Sequence, residues 1–90
     1  MNSTLKLFNE TLAASPPDVK RQVALSFDIA DRIDSILKKR NLSQKEFARM
    51  VGRSEAEVSR WVGGTHNFTI STIAKISAAL DTDIINVARH

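Results

Sequence analysis

The 90-residue chain has no cysteine, so it has no disulfide framework and no thiolate metal site. That fits a cytosolic protein. No apolar run approaches the roughly 18 residues that a membrane helix needs, and MNSTLKLFNE is too polar for a secretory signal. Histidine is scarce: His66 falls in a loop and His90 is the last residue. No His/carboxylate cluster has metal-ligand spacing, and no Gly-rich phosphate loop follows a strand. So short a chain has little room for an enclosed substrate cavity. The composition therefore points away from an enzyme, a bound metal or cofactor, and a membrane role. Neither glycine nor proline occurs between Pro17 and Gly52, which leaves a long stretch free to be helical.

What is present is the composition of one soluble domain, with an appendage at most: 42% apolar residues, enough for a modest core. The net charge of +3 is small but unevenly placed. In residues 1–28, Lys6, Lys20 and Arg21 balance Glu10, Asp18 and Asp28. From Lys38 to Arg60, seven basic residues (Lys38, Lys39, Arg40, Lys45, Arg49, Arg53, Arg60) stand against Glu46, Glu55 and Glu57. A local basic surface on a near-neutral protein suits contact with phosphates. A solvated helix face is the plainer alternative.

Thr4 to Ala14 reads as a short helix with Leu5, Phe8 and Leu12 on one face. Ser15-Pro16-Pro17-Asp18 reads as a second start, with Ser15 as cap, proline in the first turn and Asp18 at the positive end of the dipole. Val19, Val23, Phe27, Ala30, Ile33 and Leu37 keep a helical period, flanked by Leu25, Ile29 and Ile36. One long helix to about Lys39 is favoured over two helices broken near Ser26. Asn41 then serves as a left-handed C-cap and Leu42 folds back.

The stretch LSQKEFARMVGRSEAEVSRWVGG, Leu42 to Gly64, holds two short amphipathic helices joined by a glycine turn. Ser43 with Glu46, and Ser54 with Glu57, each read as a capping box. Gly52 supplies the left-handed turn between them. Phe47, Ala48 and Val51 are expected to face Val58 and Trp61, which makes Trp61 a core residue rather than an exposed hot spot. Gly63-Gly64 ends the second helix, and His66 to Phe68 is a loop. Thr69 caps a further helix with Ile70, Ile73, Ile76, Ala79 and Leu80 toward the core. Asp81-Thr82-Asp83 is a turn, and Ile84 to Val87 is open between a last helix and an edge strand. Two packed helices with a tight glycine turn are the arrangement that places a helix in the DNA major groove.

The ordered set of LSQKEFA, Val51-Gly52, EVSRW, Gly64 and TISTIAKISAAL resembles the lambda-repressor-like (Cro/repressor, XRE-type) helix-turn-helix family from about Ile29 to Leu80. His66-Asn67-Phe68-Thr69, together with an upstream helix, resembles a subgroup of HigA-type antitoxins. The resemblance implies an all-α bundle of four or five helices, here with an N-terminal helical extension. It implies a cytoplasmic transcriptional repressor that binds double-stranded DNA as a homodimer. Its setting would be a type II toxin–antitoxin operon with a cognate toxin as partner. The alternatives are a stand-alone prophage or mobile-element regulator, and a protein-interaction module in which residues 1–28 clamp a partner. The division expected is 1–28 for assembly or partner binding and 29–90 for DNA binding.

Val58 and Trp61 point inward, so the outward face of their helix carries Glu55, Ala56, Ser59 and Arg60, the positions that the resemblance assigns to base contacts. Arg60 can pair bidentately with guanine, Glu55 can accept from cytosine N4, and Ala56 can touch a thymine methyl. Ser59 suits a base edge or a phosphate. Gln44, Lys45, Arg53 and Ser54 are candidate phosphate contacts, and His66 and Asn67 candidate grips on the adjacent backbone. Glu55 is the discordant member, since a carboxylate at the groove-entering end repels phosphates. Each position also has a plain reading as an exposed, capping or loop-stabilising residue.

Overall fold

The structure, a computed structural model, describes Glu10 and residues 13–88. Four helices are complete among the described residues: α1 (Pro17–Lys39), α2 (Gln44–Val51), α3 (Glu55–Val62) and α4 (Ile70–Leu80). No strand occurs among them. The expected helix over Thr4 to Ala14 lies mostly outside the described residues.

α1 runs unbroken through Ser26, as the absence of glycine and proline after Pro17 allows. Its start differs from expectation. Pro16, not Ser15, holds the cap position, and no side chain caps it. The residue before Pro17 is driven to extended backbone, which places the boundary there (φ −57°, ψ 154°). At the other end Asn41 turns left-handed (φ 55°). The Leu42 N–H then reaches the Leu37 carbonyl at 2.8 Å, and Leu42 folds back against the core.

α2 begins with a complete capping box. Ser43 Oγ accepts from the Glu46 N–H, and the Glu46 carboxylate accepts from the Ser43 N–H. The second box is only half built. Ser54 Oγ accepts from the Glu57 N–H at 3.1 Å, but the Glu57 carboxylate turns to Arg53, 4.0 Å away. The nearby guanidinium competes with the Ser54 N–H for the same carboxylate. Gly52 makes the turn between α2 and α3 at φ +72°.

The core is Ile29, Ile33, Ile36 and Leu37 of α1, Phe47 and Ala48 of α2, Val58 and Trp61 of α3, Ile76 and Leu80 of α4, and Ile84. Phe47 meets Trp61 edge-on at 6.1 Å. The apolar rows of α1 are buried only from Ile29 onward; Val19, Leu25 and Phe27 are exposed. Thr69 caps α4 through the Thr72 N–H. Ile70, expected in the core, is 84% exposed instead. It sits roughly 120° round the helix from Ile76, outside the buried stripe.

The open question over Ile84 to Val87 resolves as neither helix nor strand. Asp81 is left-handed (φ 49°) and ends α4. The Ser77 hydroxyl donates to the Ile73 carbonyl and accepts from the Ile84 N–H, which pins the chain as it turns back and buries Ile84. Arg40 ties the two helix ends together, donating to the Leu80 carbonyl and to Thr82 Oγ1, each at 2.6 Å.

Candidate nucleic-acid interface

α3 is held by its inward side. Val58 is fully buried and Trp61 is 2% exposed. At about 100° per residue, the direction opposite to that pair is occupied by Ala56, flanked by Ser59 and Arg60. All three are exposed. Glu55 is exposed beside them in the first turn. The helix thus presents one small apolar side chain, one hydroxyl and one guanidinium on its free face, with a carboxylate at the leading end.

Gln44 and Lys45 are exposed in the first turn of α2. The Ser43–Glu46 box already satisfies donors at that end, so these two side chains are not needed there as caps. Ser54 is exposed, its oxygen engaged as the α3 cap. Arg53 is half-buried and faces Glu57, so a phosphate would compete for it with a carboxylate of the same chain. In the loop after α3, Asn67 is exposed, whereas His66 is half-buried with its ring edge-on to Phe68 at 4.8 Å. The structure thus places the candidates of α2 and α3 on two helices packed against each other. His66 is anchored to its loop.

The basic surface is narrower than the sequence suggests. Lys38 pairs with Asp34 at 2.9 Å, and this hydrogen bond raises its pKa. Arg40 is committed to Leu80 and Thr82. Neither partnership is legible from spacing in the case of Arg40, because its acceptors lie forty residues or more along the chain. Lys45 and Arg60 make no ion pair or hydrogen bond through their side chains among the described residues, which leaves them available to a ligand.

Among the described residues no group of three or more His, Asp or Glu is placed to hold a metal ion. No helix among them is long and apolar enough to cross a membrane.

Over residues 32–86 the chain matches the family model described as a Cro/C1-type HTH DNA-binding domain. No curated protein and no solved structure matches it significantly.

Proposed function

This chain belongs to the Cro/C1-type HTH DNA-binding family and is a DNA-binding transcriptional regulator, and we propose that it is a repressor that lays α3 in the major groove of a two-half-site operator as a homodimer. The observation that carries this is the free face of α3, where Ala56, Ser59 and Arg60 are exposed while Val58 and Trp61 fix the helix from behind.

In this reading Arg60 reads a guanine, Ser59 contacts a base edge or phosphate, Ala56 meets a thymine methyl and Glu55 accepts from a cytosine. Gln44, Lys45, Arg53 and Ser54 hold phosphates, and His66 and Asn67 grip the backbone beside α3. Residues 29–90 form the DNA-reading unit. Residues 1–28 serve assembly, because a charge-balanced, amphipathic segment is poorly suited to phosphates.

The setting proposed is a cytoplasmic toxin–antitoxin operon under its own control. The His66 to Thr69 loop supports it by its resemblance to HigA-type antitoxins.

A gel shift on the DNA upstream of the protein's own reading frame tests this, with and without the product of the adjacent gene. Retardation that the neighbour's product alters is the expected result. Binding no tighter than to random duplex overturns the repressor reading. Binding indifferent to the neighbour returns the protein to a stand-alone regulator.

A further inference from the structure

We propose that the first half of α1 forms a two-fold interface with a second copy of this chain, in which Leu25 meets Leu25 and Arg21 meets Asp28 of the other copy. Dimeric operator binding gives the interface its purpose, so the inference rests on the function proposed above. The contact itself needs no DNA.

α1 is 23 residues long, yet only its later part is enclosed by the bundle. Leu25 is 58% exposed at the edge of an open groove of about 530 Å³. The groove runs between α1 and the tail after α4, with Ile29, Phe68, Ile73, Ile85 and Val87 among its walls. Ile85 and Val87 are also exposed, Val87 to 78%. Apolar side chains thus stand on both sides of a groove that no described element of the chain fills.

The charges beside Leu25 say what fits there. Counting roughly 100° per residue, Arg21 and Asp28 lie on the same side of the Leu25 stripe, one turn before it and one turn after. They are seven residues apart, about 10 Å along the axis, too far to pair within one helix. Both are exposed. Two antiparallel copies of this helix, related by a two-fold axis at Leu25, bring Arg21 of each against Asp28 of the other. One surface then supplies both halves of each pair, which is the signature of an isologous contact. A nucleic acid is disfavoured, because Asp18 and Asp28 stand beside Lys20 and Arg21 and cancel them. Asn67 and Phe68 belong to the groove wall, so the closed interface abuts the loop that follows α3.

Sedimentation equilibrium of the full chain tests this with Leu25→Glu, Arg21→Glu, Asp28→Arg and the double reversal Arg21→Glu/Asp28→Arg. Circular dichroism checks that the exposed substitutions leave the helices intact. Wild type is expected to dimerise in the micromolar range, and Leu25→Glu to weaken the dimer at least about tenfold. Each single reversal should also weaken it about tenfold, since it sets like charges face to face, and the double reversal should recover most of the loss. A monomeric wild type, a Leu25→Glu dimer of unchanged strength, or a double reversal that restores nothing overturns the interface. Binding to a single half-site duplex is measured alongside. It is expected to survive in all variants, so a failed interface is distinguishable from a failed DNA-binding reading.

Discussion

The ring of Phe27 lies over Gly64 so closely that a Cβ on Gly64 would stand 2.5 Å from its Cδ1 and Cε1. Gly64 is also left-handed, at φ +96°. The contact clamps the middle of α1 onto the end of the helix that presents Arg60. Gly64→Ala is expected to destabilise the protein by about 1–3 kcal/mol, through both the backbone and the ring. Gly52, at φ +72°, has no atom within 4 Å of its would-be Cβ, so Gly52→Ala should cost only the backbone part, about 1 kcal/mol. Urea unfolding of both variants checks this. Adding Phe27→Ala should relieve part of the Gly64→Ala penalty and none of the Gly52→Ala penalty.

Arg40 belongs to the basic run in sequence but to the scaffold in structure. Its two 2.6 Å hydrogen bonds join the end of α1 to the end of α4. Arg40→Met should lower stability by about 1–3 kcal/mol, because a charged donor is lost and the Leu80 carbonyl is left without it. It should leave the salt dependence of DNA binding unchanged. A flatter salt slope with unchanged stability would assign Arg40 to phosphate instead.

Acid should loosen the start of α2. The hydrogen bond from the Ser43 N–H, then that involving the Ser43 side chain, with help from the charge of Arg49, hold the Glu46 carboxyl below the ordinary glutamate range. The carboxylate's contribution is therefore complete above the unfolded-state pKa and is lost as pH falls through the lower folded value. Glu46→Gln keeps an acceptor that does not titrate, so its stability should fall less steeply in acid than that of wild type. Ser43→Ala should cost about 1 kcal/mol at neutral pH. Urea midpoints taken from neutral pH into the acid range measure both.

What the sequence made legible was mostly local. The caps at Ser43 and Thr69 involve residues three apart, and Asn41 and Gly52 announce left-handed turns by residue type. The inward position of Trp61 follows from its spacing to Val58 within one helix. What stayed hidden depended on distant or competing partners. Nothing near Phe27 announces Gly64, and nothing near Arg40 announces Leu80. Glu57 had two local partners, and its carboxylate lies toward Arg53 and away from the Ser54 N–H. Ile70 fits a list of apolar residues but not the angle of the buried stripe. The outward face of α3 was legible from spacing: once Val58 and Trp61 turn inward, Glu55, Ala56, Ser59 and Arg60 are left exposed, and a base-reading role for that face is what the family resemblance implies. Which base or phosphate each meets depends on the DNA sequence and its shape, which the chain does not encode alone.

Arg60 and Lys45 should separate sequence reading from phosphate holding. Arg60→Ala is expected to lose about 1–3 kcal/mol at the operator and to relax base preference at one position. Lys45→Ala should weaken all sequences about equally and reduce the salt slope by about one. Binding-site selection and salt titration distinguish the two. An Arg60→Ala protein that binds its operator as tightly as wild type sinks the base-reading assignment.

Glu55 is the position where affinity and discrimination should trade against each other. It is exposed in the first turn of α3, where the helix dipole favours a carboxylate in the free protein. In the groove the same carboxylate faces phosphates on both sides. Glu55→Gln removes the charge and keeps the shape, so it should bind random duplex more tightly at low salt, and the gain should shrink as salt screens the repulsion. If Glu55 accepts from a cytosine amino group, the same variant should discriminate less at that base pair, because the neutral amide can also pair with adenine. Parallel titrations of operator and random duplex across a salt series read both effects. Unchanged affinity together with unchanged preference would place Glu55 in solvent, outside the groove, and would shift the leading contacts of α3 to Ala56, Ser59 and Arg60.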